Sequence, residues 1–383
     1  MTGQSAYRCS QVFDGEKIHQ NTAFLVSDGL ISGLCPSDQV PAGYGLVELG
    51  DRILSPGLID LQVNGGGGLM LGDAQNVEDI RRICAAHIGL GTTALTPTLI
   101  TDTPETTRKV VELGIEAWSA GVPGFQGLHL EGPHLFQGRK GAHDASLIRT
   151  MTDDDIELYL DAAQKLPSLI ITVAPETVRT DQISRLAAAG AHVSLGHSGA
   201  TYAQCRAATE AGADCVTHLF NAMSPLQHRE PGLVGAALDL GKLNVGLIAD
   251  GVHVDPVAIK VALRSKQGPG RIFLVTDAMS QTGTKVTSFQ LGGREIFRKD
   301  GTLTLKDGTL AGADIDLPSS LKYLRDVVEL DLETSFALAT SCPADAIQRP
   351  LGRLVQGRAA DFALFSNDLD VERVWLSGNV VDG

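Results

Sequence analysis

The stretch GLHLEGP, residues 127–133, runs through alternating leucine and histidine to a carboxylate, Glu131, and stops at Gly-Pro. Side chains alternate across a strand, so His129 and Glu131 share one face, with Glu131 at the carboxyl end. Three other stretches follow the same plan: HVSLGHS (192–198) leads to His197, CVTHLFNAM (215–223) carries His218, and FLVTDAM (273–279) carries Asp277. Polar side chains at the exits of successive buried strands are how a barrel enzyme assembles a metal site on its active face.

Working outward, apolar β-rich runs recur at about 57–62, 92–99, 125–131, 169–174, 191–197, 214–219, 244–250 and 272–277. Helical segments separate them. Thr103-Pro104 and Asp255-Pro256 read as an N-cap followed by a proline at the first helical position, and Gly190 and Gly212 are placed as glycines just past helix ends. Eight strands alternating with helices predict an α/β fold, a (β/α)8 TIM-type barrel over 55–349, in preference to an open doubly wound sheet. A Gly-rich stretch, 280–316, interrupts the rhythm as an excursion over the barrel mouth, before two helices around 317–329 and 332–347. The two chain ends carry hairpin signals: TAFLVSDGLISGL (22–34), and DFALF, VERVWL and VV near the end. An isolated hairpin is marginal in water, so the ends are expected to pair as a small β-sandwich domain, 1–54 plus 350–383.

The chain has 383 residues, with 31 Lys and Arg against 45 Asp and Glu, a formal charge of −14. That balance argues against nucleic acid or an anionic membrane as partner, because both demand a basic surface. The six cysteines (9, 35, 84, 205, 215 and 342) lack CxxC spacing and read as small buried side chains in a reducing compartment. No apolar run approaches the ~18 residues of a membrane span and the first residues lack a signal-peptide core, so a cytoplasmic protein is expected.

Taken singly, Glu131 reads equally well as an ion-pair or capping carboxylate, and His197 and His218 as hydrogen-bonded core histidines. Their joint placement at three strand ends gives the His2Glu set of a catalytic metal, with Asp277 as the general base that moves a proton from water to a leaving group. On the first strand, Asp60, Gln62 and Asn64 share a face. Carboxamides ligate transition metals poorly, so one metal is expected, and Gln62 and Asn64 are read as hydrogen-bonding residues of the barrel floor. The loop NGGGGLMLGD (64–73) lacks the Lys-Ser/Thr of a P-loop and reads as a tight turn under the active face. Arg229 and His253 are the cationic candidates for an anionic substrate, and His143 lies in the loop beyond Glu131. A surface ion pair of Arg229 with Glu230 is the plainer alternative.

The motifs resemble the N-acetylglucosamine-6-phosphate deacetylases of the amidohydrolase superfamily. The resemblance rests on SPGLIDLQVNG (55–65), LHLEGPHL (128–135), RKGAHD (139–144), VAPE (173–176), LGHSGAT (195–201), THLFNAMSPLQHREPGLVGAAL (217–238), IADGVHVD (248–255), LVTDAM (274–279), GTLAG (308–312) and GRLVQGRAADFALF (352–365). It implies that Glu131, His197 and His218 hold one divalent metal ion, zinc or iron, and that Asp277 is the acid/base. It makes His143 the group contacting the acetamido carbonyl. Ala142, Asn221, Ala222, Arg229, Asp250, Gly251, Val252 and His253 would meet a phosphorylated amino sugar, with Leu310, Ala311 and Gly312 lining the site. It further implies a homodimer in which Arg229 reaches the partner's site. The expected reaction converts N-acetyl-D-glucosamine 6-phosphate to D-glucosamine 6-phosphate and acetate. The galactosamine epimer is the nearest rival, with a cyclic-amide hydrolase and an inactive binding barrel further off. Where the resembled family commonly continues GTLAG with Ser-Ser or Ser-Thr, this chain has Ala313-Asp314-Ile315-Asp316.

Overall fold

The computed structural model describes residues 3–291, 293–299 and 301–381. The few remaining positions of the expected 280–316 excursion and of the expected terminal domain lie outside the described residues.

Eight parallel strands, each beside its sequence neighbour, form the central sheet: β1 (Leu58–Val63), β2 (Thr92–Ile100), β3 (Leu128–Glu131), β4 (Leu169–Val173), β5 (His192–Leu195), β6 (Cys215–Val216), β7 (Asn244–Leu247) and β8 (Ile272–Leu274). The first and last strands meet just beyond β8, where the Asp277 N–H donates to Gln62 O (3.0 Å) and the Asn64 N–H to Ala278 O (2.8 Å). The sheet is thus a nearly closed barrel. Every residue of β1, β3, β4, β5, β6 and β8 is buried, as expected of strands covered by helices on one side and filled by side chains on the other.

The helix boundaries follow their sequence signals. Thr103 accepts from the Thr106 N–H and Asp255 from the Val257 N–H, each ahead of a first-turn proline. The helices Thr180–Ala188 and Tyr202–Glu210 end two residues before Gly190 and Gly212, both at positive φ. The helix expected over 332–347 is instead two, Leu332–Ala339 and Ser341–Ala346. Pro343 accounts for the break, since it has no N–H for the Ala339 carbonyl and its ring crowds that carbonyl.

Both chain ends join one hydrogen-bonded sheet, where a small sandwich was expected. Gln4–Phe13 lies between Thr22–Ser27 and Gly45–Pro56, and Phe362–Phe365 runs antiparallel to residues 53–56 of the latter. On one face Tyr7, Phe24, Phe362 and Trp375 form a cluster, with Phe362 stacked on Trp375 at 4.4 Å. The other face carries Phe13 and Phe365, which pack against Phe336 of the helix Leu332–Ala339 and belong to the barrel's own core.

The 280–316 excursion is a four-stranded antiparallel sheet, Ser288–Leu291, Arg294–Lys299, Thr302–Leu305 and Leu310–Ala313. Its apolar side, Leu291, Ile296, Leu303 and Ala311, packs on Met70 and Met279 at the carboxyl end of the barrel. The departure at 313–316 has structural work to do. Asp314 pairs with Arg298 (2.8 Å) and accepts from Gln281 (3.3 Å), tying this sheet to the loop after β8, while Asp316 caps the next helix through the Ser319 N–H. The Gly-rich loop after β1 is a short hairpin, Gly65–Gly66 against Leu69–Met70, turned through Gly67 and Gly68 at positive φ. It stands beside the active face as a wall, rather than under it, because Met70, Gly72 and Asp73 border a cavity there.

Candidate active site

Glu131 is the last residue of β3, and His197 and His218 each sit two residues beyond the ends of β5 and β6. Three atoms converge. Glu131 Oε1 lies 3.2 Å from His197 Nε2 and 3.0 Å from His218 Nε2, and the two imidazole nitrogens are 3.0 Å apart. Donors spaced so closely around one point suit a tetrahedral metal with bonds of about 2.0–2.2 Å. The His197 Nδ1 donates to Arg139 O (2.9 Å), which leaves Nε2 as the free lone pair, the tautomer a ligand needs. Burial acts to raise the Glu131 carboxyl, but the imidazoles of His197 and His218 against it hold it well below the usual carboxylate range. The same donor set therefore keeps an anion at the barrel mouth, and it fits one divalent cation.

His143 is the neighbour of this cluster. With Glu131 and His197 it makes a second group whose ligand atoms fall within 4.8 Å of one another, but its Nε2 is 3.8 Å from Glu131 Oε2, looser than the His218 set. The Thr101 N–H donates to His143 Nδ1 (3.3 Å), which assigns the ring proton to Nε2. Burial, with the field of His197, pushes this imidazole down to about 3, so it is neutral near pH 7 and a hydrogen-bond donor toward the cavity.

Asp277 faces the cluster from beyond β8. Its Oδ1 accepts from Asn64 Nδ2 (2.7 Å) and Gln62 Nε2 (3.1 Å), while among the described residues Oδ2 has no donor. Burial and the field of Glu131 raise its carboxyl above the ordinary value. Gln62 also donates to Glu131 Oε1 (3.0 Å). Gln62 and Asn64 are hydrogen-bonding residues, as expected, but they belong to the site itself and hold both carboxylates in place. The floor beneath is Asp60, bound to Thr276 Oγ1 at 2.5 Å and pushed up to about 7 by burial, and His129, bound to Leu61 O and Thr172 Oγ1.

Backbone strain is concentrated here. His197, His218, Ala222 and Asp277 all adopt positive φ, between 29° and 53°, a region that costs a non-glycine residue on the order of 1–3 kcal/mol. Such positions persist where the surrounding structure over-determines them, and three of the four are the strand-end residues singled out by the sequence.

A cavity of about 190 Å3 opens over these groups. Ala142, His143, Asn221, Ala222, His253, Leu310, Ala311 and Gly312 line it together with Glu131, His197, His218 and Asp277. Gly312 admits no side chain, since at φ +83° a Cβ would stand 2.5 Å from Met279 Cγ. Asp250, Gly251 and Val252 do not line it. Asp250 instead orients His253, with Oδ2 2.6 Å from Nδ1 and Oδ1 accepting the N–H groups of Val252 and His253. Arg229 also stands away from the cavity, on an exposed loop. Its expected alternative partner is occupied elsewhere: Glu230 Oε1 accepts the N–H groups of Tyr202 and Gly232, and among the described residues Arg229 has no carboxylate within 4 Å. Sequence reasoning missed Ile100, Ile248, Met279 and Leu291 as lining residues, because nothing distinguishes an apolar side chain at a cavity edge from one in the core.

Three known proteins show what this arrangement is similar to. The N-acetylgalactosamine-6-phosphate deacetylase of Shewanella sp. (strain ANA-3) is 40% identical over 97% of this chain and 95% of its own length. A crystal structure of N-acetylglucosamine-6-phosphate deacetylase from Pasteurella multocida superposes with a TM-score of 0.94 at 32% identity, over 99% of this chain and 100% of that one. A mutant N-acetyl-D-glucosamine-6-phosphate deacetylase from Mycobacterium smegmatis, in complex with N-acetyl-D-glucosamine-6-phosphate, superposes at 0.92 with 30% identity over 100% of both chains. The Amidohydrolase family model matches residues 53–381, from the strand before β1 to the last described residue. With a barrel that carries its acidic and imidazole side chains on one rim, and a family match across most of its length, the chain belongs to the amidohydrolase family.

Proposed function

We propose that this protein hydrolyses the acetamide of N-acetyl-D-glucosamine 6-phosphate to D-glucosamine 6-phosphate and acetate. The observation that carries the reading is the convergence of Glu131, His197 and His218 on one point, beside an Asp277 with one oxygen held and the other open. One divalent metal ion, zinc or iron, held by those three side chains supplies Lewis acidity toward the amide carbonyl and toward water. Asp277 Oδ2 takes a proton from the attacking water and returns it to the amide nitrogen as the C–N bond breaks. A carboxylate whose proton affinity is raised by burial and by the field of Glu131 is a stronger base than an exposed one, which suits it to take the proton from water. His143 Nε2–H donates to the carbonyl oxygen as charge builds on it. The sugar lies along Asn221, Ala222 and Leu310–Gly312, and His253, fixed by Asp250, meets its phosphate end.

Arg229 supports a homodimer. Exposed, unpaired among the described residues and away from its own cavity, it suits the phosphate in a partner's site. The unpaired state of all six cysteines supports a cytoplasmic location, and no described helix is long and apolar enough to cross a membrane. The small terminal domain of 1–54 with 350–383 is the part we assign to the sheet that both ends share.

A second reading, the galactosamine epimer, is favoured by the likeness to the Shewanella deacetylase. Acetate release from both 6-phosphates, with and without a chelator, tests both. Chelator-sensitive release from the glucosamine substrate is expected; faster release from its epimer transfers the assignment, and release from neither overturns the reading.

A further inference from the structure

Strands β5 and β6 carry side chains of metal-ligand type at both ends. His197 and His218 stand just past their carboxyl ends, while His192 is the first residue of β5, Cys215 is the first of β6, and Asp214 precedes it. Ser194 pairs with Cys215 across the two strands, so His192, Ser194 and Cys215 share one face. That face is the barrel interior, because Ser194 and Cys215 border the same internal void as Leu61, Gln62 and His129. His192, Asp214 and Cys215 thus meet at the amino end of the barrel, opposite the candidate active site.

The three side chains make a donor set. One ligand atom from each lies within 4.8 Å of the other two, and His192 Nδ1 is 2.8 Å from Asp214 Oδ2. Ligands about 2.0–2.3 Å from a tetrahedral zinc ion stand roughly 3.3–3.8 Å apart, so adjustments of about 1 Å bring all three onto one ion. The sheet fixes the backbone that carries them: the Asp214 N–H donates to Val193 O (3.1 Å), and the Asn244 N–H to Asp214 O (2.8 Å). His192 and Cys215 are 7% and 3% exposed. Asp214 is half-buried, which gives an ion a way in, yet its Oδ1 is buried without a donor.

An ordinary core histidine oriented by a carboxylate needs only the bond to Oδ2. That arrangement leaves Oδ1 orphaned, which costs about 1–3 kcal/mol, and sets a buried thiol against a carboxylate. Burial, and then Asp214, push the Cys215 thiol well up. A cation among the three offsets both effects, since it satisfies the carboxylate and takes the sulfur as thiolate.

We propose that His192, Asp214 and Cys215 bind a divalent cation of their own, at the amino end of the barrel, where it clamps β5 to β6. Thiolate, imidazole and carboxylate together are a zinc donor set, and the two oxygens of Asp214 bring the donors to four. The thiol proton leaves to solvent as the sulfur binds. The ion takes no part in hydrolysis, so the site stands apart from the deacetylase reading.

Cobalt(II) tests the site because it accepts the same donors as zinc and, when bound to thiolate, absorbs in the near ultraviolet by charge transfer from sulfur. Glu131, His197 and His218 include no sulfur, so this band reports the amino-end site whatever the other holds. Metal-free full-length protein titrated with cobalt should develop the band, and zinc should displace it. Cys215→Ser should abolish the band and lower bound zinc by one ion per chain in elemental analysis, with acetate release unchanged. Asp214→Asn, close in shape, should weaken cobalt binding at least about tenfold, since loss of a ligand costs no less than loss of the group that orients one. No band at saturating cobalt overturns the site, as does a band that survives Cys215→Ser. If Cys215→Ser does not fold, Asp214→Asn decides, and cobalt binding as tight as in the unmodified protein overturns the proposal. Failure of the deacetylase reading would look different: no acetate release, with the band intact.

Discussion

Asp277 has one carboxylate oxygen fixed and one open, and at the scale of single residues this asymmetry is what the proposed proton transfer rests on. Gln62 and Asn64 hold Oδ1, so Asp277→Asn keeps the shape and the two neighbouring amides while removing the proton acceptor. Turnover should fall about 100- to 10,000-fold, the usual worth of a positioned general base, with bound metal unchanged by elemental analysis. Near-normal turnover would remove Asp277 from the mechanism. Arg229 is the converse case, a residue far from its own cavity. Arg229→Ala should raise KM for the phosphorylated sugar, by about tenfold or more if a charge-assisted bond worth ~1.5–3 kcal/mol is lost, with little change for the unphosphorylated sugar. Equal losses on both sugars would show that Arg229 does not read the phosphate. The strand-end positions of Glu131, His197, His218 and Asp277 were legible in sequence because each closes an apolar run. The part played by Gln62 was not. Its partners are 69 and 215 residues away, and only the closure of the barrel brings Glu131 and Asp277 to one carboxamide.

Among the elements, the helix after β3 shows how much of the local structure is settled by caps. Asp153–Lys165 opens with Thr152 accepting from the Asp155 N–H and Asp155 accepting in return from the Thr152 N–H at 2.8 Å. Arg149 then grips the same carboxylate through two nitrogens, at 2.5 and 2.6 Å. Burial acts to raise Asp155, but Arg149 and Thr152 prevail and hold it well below the usual carboxylate range. A carboxylate depressed on folding contributes stability that is fully present above its unfolded pKa of about 3.9 and is lost as pH falls through that value toward the folded one. Asp155→Ala should therefore destabilise the protein by about 1–3 kcal/mol at pH 7, the sum of a lost cap and a lost ion pair, and the difference from the parent should shrink below about pH 4. Urea midpoints at pH 7 and pH 3.5 measure both; a difference that stayed constant would refute the linkage. The strand ends were less legible than the caps. The runs at 191–197, 214–219 and 272–277 extend past the paired residues because the chain leaves the sheet at Gly196, and at His218 and Asp277 through positive φ, which an apolar pattern does not encode.

For the whole molecule, periodicity counts eight strands but is silent on closure, which rests on two backbone hydrogen bonds at 62/277 and 64/278, beside the candidate active site. The chain ends are a second question that only the fold answers. Phe362–Phe365 reads Phe-Ala-Leu-Phe with every residue buried, and its alternate side chains serve different cores: Phe362 and Leu364 join Tyr7, Phe24 and Trp375, while Ala363 and Phe365 join the barrel core. A strand shared in this way binds the terminal sheet to the barrel, so the two should unfold together rather than as independent units. Trp375 probes the coupling, because it is 1% exposed, stacks on Phe362 and lies on the face turned away from the barrel core. Trp375→Ala should cost about 3–5 kcal/mol, as other large-to-small aromatic core substitutions do. Coupling requires that this loss lower the unfolding midpoint of the entire chain in a single transition, with kcat/KM of the folded protein unchanged because no catalytic group belongs to that sheet. An early transition confined to part of the far-ultraviolet signal, followed by an unshifted main one with activity retained between them, would show that the terminal sheet unfolds alone and that the alternation in 362–365 does not couple the two cores.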